Sequence, residues 1–129
     1  MQMLFQLDAA EGASSQAVED AIATFWPNFD ADPEGKEFAN EAVRGVSAHR
    51  ADIDRALQAA STHWRLERMP RVDRNVLRLS AWQLLYRTEI PKAVVIDEAV
   101  ELAKEFGADD SGSFVNGVLS KIATTRQKT

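Results

Sequence analysis

His49 and His63 are the two histidines of the chain, and neither stands in a spacing that binds metal. No His-Glu-x-x-His or Glu-x-x-His pattern sets carboxylates beside them, and two imidazoles alone cannot complete a zinc site. The sequence has no cysteine, which excludes thiolate nucleophiles, zinc–thiolate sites and disulfides. Asp97, Glu98 and Glu101 offer two carboxylates on one helix face. The simpler reading is that acids in a first helical turn complement the dipole, with Glu101 paired to Lys104 or Lys92. Gly107 and Gly112 lie near one another but lack the Lys-Ser/Thr and the preceding strand of a phosphate loop. Ser111 and Ser113 have no histidine nearby in sequence to activate them. The expectation is a protein that is not an enzyme and carries no cofactor or metal.

Charge is the other source of chemistry. A net charge of −5 over 129 residues argues against nucleic-acid binding by bulk electrostatics. The distribution is uneven: residues 1–64 hold four bases against eleven acids, and residues 65–129 hold eleven bases against nine acids. Arg65, Arg68, Arg71, Arg74 and Arg78 fall in one short stretch, a hint of a charged contact face.

These groups must be positioned by helices. Apolar residues recur at i, i+3, i+4 and i+7 in Val18–Phe25, Ala39–Val46, Ile53–Trp64, Ile96–Ala103 and Val115–Ile122. No stretch alternates as a strand would, so the fold class is all-α. Punctuation divides the stripes into about seven helices. Ser14 or Ser15 caps the second, Pro27 ends it, and Asp32-Pro33 opens the third. Met69-Pro70 and Ile90-Pro91 bound the fifth. Gly107 is placed as a left-handed C-cap of the sixth and Ser111 as the cap of the seventh. The fifth helix (Val76, Leu77, Leu79, Ala81, Trp82, Leu84, Leu85, Tyr86) is apolar on nearly every side and is expected at the centre of a bundle. At 45% apolar content a chain of this length folds without staples, as one domain over 1–129 with helical subdomains of about 1–64 and 65–129. It has neither a signal peptide nor a run of apolar residues long enough to span a bilayer, and a soluble, cytoplasmic protein is expected.

Three ordered blocks go beyond a generic bundle: Val72-Asp73-Arg74-Asn75-Val76-Leu77-Arg78-Leu79-Ser80-Ala81-Trp82-Gln83-Leu84, then Ile90-Pro91 leading to Val95 through Phe106-Gly107, then Phe114-Val115-Asn116-Gly117-Val118-Leu119. In this order and at these distances they resemble the NusB family of transcription antitermination factors. Gln2-Met3-Leu4-Phe5-Gln6 is similar to the family's first helix, and Arg44-Gly45-Val46 followed by Ile53-Asp54 to its third-to-fourth helix junction.

The resemblance implies two roughly perpendicular three-helix bundles and an RNA-binding adaptor. Such a protein pairs with the ribosomal protein NusE and holds boxA-type single-stranded RNA within the RNA polymerase antitermination complex, chiefly in ribosomal RNA operons. It leaves a homodimer open. It implies RNA contacts at Gln2, Phe5, Phe106, Asp110, Ser113 and Phe114, where aromatic rings suit stacking bases. Phe106 and Phe114 could equally pack the ends of two helices. Asp110 would repel phosphate and could only accept a base amino group or restrain binding. The resemblance implies a NusE-facing surface at Glu67, Asp73, Arg74, Arg78 and Trp82. Arg74 and Arg78 share a helix face and can present paired forks, while Trp82 has the stronger case as core. Asn116-Gly117 is read as structural, with glycine permitting close helix approach.

The family opens with an arginine-rich stretch before its Gln-x-Leu-aromatic segment, whereas here no base precedes Lys36. Weak binding of boxA-type RNA by the chain alone, restored by upstream arginines, is therefore expected. The alternative is a NusB-like accessory domain acting through proteins or ribosomal RNA, as in fusions to ribosomal RNA cytosine methyltransferases. No methyltransferase domain is expected to follow Thr129, which counts against it.

Overall fold

The computed structural model describes residues 33–127. Among them are five α-helices and no strand: α1 (Pro33–Ala48), α2 (Arg50–Ala60), α3 (Arg71–Tyr86), α4 (Lys92–Phe106) and α5 (Ser111–Gln127), with a 3-10 turn at Leu66–Arg68. The all-α expectation holds, and these five are the third to seventh of the helices read from sequence. The apolar start at Met1, the Ser14 and Ser15 caps, the Val18–Phe25 stripe and Pro27 lie outside the described residues.

Proline sets three of the helix starts. α1 begins at Pro33, and α3 and α4 follow Pro70 and Pro91 directly. The Pro70 carbonyl accepts the Arg74 N–H at 3.0 Å and the Pro91 carbonyl that of Val95 at 3.2 Å. A proline here forfeits no helical bond, since the first N–H groups of a helix have no intrahelical acceptor.

α3 is the hub, packed against α1, α2, α4 and α5. Val76, Leu77, Ala81, Trp82 and Leu84 bury its length against Val43 and Val46 of α1, Ile53 and Leu57 of α2, Val95 and Ala99 of α4, and Val115 and Leu119 of α5. Each fully buried Leu, Ile or Val contributes roughly 1.5–3 kcal/mol, so one cluster ties all five helices together. Trp82 lies against the backbone of α1: a Cβ built on Gly45 would fall 2.1 Å from its Nε1. Only glycine permits that approach. At the end of α3, Arg87 lies 5.7 Å from the Trp82 ring and 5.9 Å from that of Phe38, and it pairs with Glu41 at 2.5 Å and with Glu89. Hydrogen bonds to Glu89, then Glu41, raise its pKa above the ordinary arginine value.

Two polar residues inside the hub are paired. Arg78 is buried, and its Nε and Nη2 donate to the two carboxylate oxygens of Asp54 on α2 at 2.8 and 3.0 Å. Asn75 donates to the Arg71 carbonyl at 2.9 Å.

Five local expectations are corrected. Gly107 has an extended backbone (φ −103, ψ −164) and is no left-handed cap. Glycine is needed there because a Cβ would stand 2.6 Å from Ser111 Oγ and 2.7 Å from the Ala103 carbonyl. Ser111 is the first residue of α5, and its hydroxyl accepts the N–H of Ala108 at 2.9 Å, closing the preceding turn. α4 has no acid in its first turn; Asp97 and Glu98 lie beyond it, outside the range of the dipole effect. Glu101 makes no ion pair with Lys92 or Lys104 among the described residues. Finally, α2 stops at Ala60, and Trp64 stands in the connection to α3, exposed.

Candidate nucleic-acid interface

The α4–α5 junction gathers four of the residues singled out for RNA. Phe106 closes α4, 56% exposed, Asp110 and Ser113 are exposed, and Phe114 is half-buried in the first turn of α5. The turn between them is short and internally bonded: Gly107 N–H donates to the Ala103 carbonyl at 2.8 Å, and Ser111 N–H to that of Ala108 at 3.0 Å. Those bonds fix Phe106 and Phe114 at either side of a rigid corner. The two remaining candidates, Gln2 and Phe5, lie outside the described residues.

Phe114 has a neighbour in Trp64, whose spacing continues the α2 stripe in sequence. The Trp64 ring meets it edge-on, with centroids 6.5 Å apart and planes at 72°. Gln58, in the last turns of α2, holds the connection that carries Trp64. Its Nε2 donates to the carbonyls of Ser61 (3.1 Å) and Trp64 (2.9 Å), and its Oε1 accepts the N–H of Leu66 at 3.0 Å. The Ser61 hydroxyl adds a bond to the Trp64 carbonyl at 3.3 Å. One side chain thus replaces the backbone bonds lost where the helix ends. The sequence did carry a signal for Trp64: the polar Ser61-Thr62-His63 run interrupts the stripe before it reaches the tryptophan.

The residues singled out for a protein partner are placed unevenly. Glu67 is exposed in the 3-10 turn, 3.5 Å from Arg65. Arg74 is half-buried and sets Nη1 3.5 Å from the Leu66 carbonyl. Asp73 is buried in the first turn of α3, and its Oδ1 has no hydrogen-bond partner. Arg78 and Trp82 do not reach the surface in this way. The fork of Arg78 is occupied by Asp54, so it presents no second fork beside Arg74, and Trp82 is only 3% exposed. Spacing puts Arg74 and Arg78 on neighbouring turns, but packing against α2 turns the latter inward.

Electrostatics separates two outer faces. Asp97, Glu98, Glu101 and Glu105 surround Leu102 in a shallow groove on α4, where four carboxylates disfavour a phosphate backbone. His49, at the start of α2, stacks on Tyr86 with centroids 4.0 Å apart. Among the described residues no helix is long and apolar enough to cross a membrane.

Comparison with known proteins agrees with this arrangement. A model of the NusB family matches residues 1–124. The transcription antitermination protein NusB of Sorangium cellulosum (strain So ce56) is 56% identical over 123 residues, 95% of this chain and 85% of that one. The crystal structure of T. maritima NusB superposes with a TM-score of 0.79 at 34% identity, covering 99% of this chain and 91% of that one. A structure of antitermination factors NusB and NusE in complex with dsRNA superposes with a TM-score of 0.74 at 26% identity, covering 95% and 89%. With that coverage, the chain belongs to the NusB family, whose members named here are transcription antitermination proteins and not enzymes.

Proposed function

We propose that the chain is an RNA-binding transcription antitermination factor that pairs with the ribosomal protein NusE. Together they hold boxA-type RNA in the RNA polymerase antitermination complex during ribosomal RNA transcription. One observation carries the proposal: the α4–α5 corner presents exposed Phe106, Asp110 and Ser113 beside Phe114, ring faces and hydrogen-bonding groups suited to unstacked bases. The solved NusB–NusE–dsRNA complex of a relative supports the choice of partners. On this proposal the chain acts as one NusB-like domain over 1–129, with helical subdomains of about 1–64 and 65–129, in the cytoplasm.

The partner surface would centre on Glu67, Asp73 and Arg74, with Arg78 and Trp82 as the support beneath. Asp73 is the sharpest element, because a buried carboxylate oxygen without a donor costs free energy that a donor from the partner would recover. Retention of NusE by the immobilised chain tests the pairing. Wild-type protein should retain NusE, and Asp73→Ala should weaken retention while leaving the helical content intact. A folded wild-type chain that fails to retain NusE would remove the adaptor function.

A further inference from the structure

A second groove lies between the α2–α3 connection and α5, beside Phe114. Its volume is about 230 Å³, and its lining includes His63, Trp64, Ser113, Phe114, Gly117 and Lys121. Three features distinguish it. Trp64 is 57% exposed, yet Gln58 and Ser61 hold its backbone in place, so the ring is kept at the surface by design of the connection. Gly117 forms an open floor: no described atom lies within 4 Å of where its Cβ would stand. Glycine inside a helix costs stability relative to alanine, and no described helix makes the close approach that would offset that cost. Among the described residues no carboxylate lines the groove, although the chain carries a net charge of −5. The acidic groove on α4 has the opposite character.

We propose that Trp64 and the open floor at Gly117 form a stacking site for one base of single-stranded RNA, continuing past Phe114. This rests on the RNA-binding function proposed above and adds a position to it. The edge-on contact of the two rings leaves the broad face of at least one of them to a base, which binds through its π-surface whatever its identity. The missing side chain at position 117 admits the base edge. A rim without a carboxylate among the described residues suits a polyanion better than a basic partner segment, which needs an acidic face.

The test titrates the full chain, with and without NusE, against a labelled boxA-type single-stranded RNA and the same RNA shortened at either end. Trp64→Ala should weaken binding by roughly tenfold, and Trp64→Phe should restore most of it. The slope of affinity against salt should not change, since no phosphate contact is removed. Gly117→Leu guards against a folding artefact: it should raise the melting temperature, because leucine is the better helix former, and still weaken RNA binding about as much. One shortened RNA should bind wild type and Trp64→Ala alike. If Phe114→Ala weakens binding while Trp64→Ala and Gly117→Leu do not, the stacking site is overturned and RNA binding at the corner stands. If the wild-type chain binds no RNA in either setting, the underlying function fails and this site with it. Loss of NusE retention in Trp64→Ala with RNA affinity unchanged would make the groove a protein surface and overturn the proposal.

Discussion

The Arg78–Asp54 pair joins two helices through a bidentate fork, two parallel bonds at 2.8 and 3.0 Å. Removing one member breaks both bonds of the fork. Arg78→Ala should therefore cost about 3 kcal/mol in urea unfolding, the lower end for a broken buried pair, because Asp54 remains partly wet and near Arg50. Arg78→Lys should lose part of this, since an ammonium cannot form the fork. Gly45 is the second sensitive position. Gly45→Ala should destabilise by at least about 1–3 kcal/mol through collision with the Trp82 ring, and a double-mutant cycle with Trp82→Leu should recover much of that loss. Neither role could be read from spacing. Periodicity shows that Arg74 and Arg78 are neighbours on a helix, but the carboxylate that turns Arg78 inward lies 24 positions upstream. The core role of Trp82 was legible, because a large ring on a helix apolar all round has nowhere else to go.

Helices were the most legible level. Pro33, Pro70 and Pro91 set their starts, and the stripes at Val43–Val46, Ile53–Leu57, Ala99–Ala103 and Val115–Ile122 do face the core. Helix ends and connections were not, because side chains bonding to distant backbone decide them. Gln58 reaches Leu66 eight residues away, and Ser111 closes the turn behind it instead of capping the helix ahead. Gln58→Ala should cost about 1–3 kcal/mol, as the Leu66 N–H loses its acceptor. Amide hydrogen exchange should locate the loss at residues 61–66 while α3 and α5 keep their protection. Uniform loss of protection throughout the chain would show instead that the connection and the core unfold as one unit.

For the molecule as a whole, shape and charge divide the surface. The hub α3 fixes four helices around it, an acidic face lies on α4, and an aromatic edge runs from the α4–α5 corner to Trp64. The family was legible from three ordered blocks, all of which fall in α3, α4 and α5. The residues contributing to the site were legible where they lie in those blocks, at Phe106 and Phe114, and not where the aromatic edge is completed by Trp64 from a connection. The most direct test of the central claim is an equilibrium titration of labelled boxA-type single-stranded RNA with the chain, NusE, and the two together across a salt series. The pair should bind more tightly than either protein alone, with affinity falling as salt rises, and Phe114→Ala should weaken the pair by roughly tenfold. RNA affinity of the pair no greater than that of NusE alone, with both proteins folded, would contradict the account.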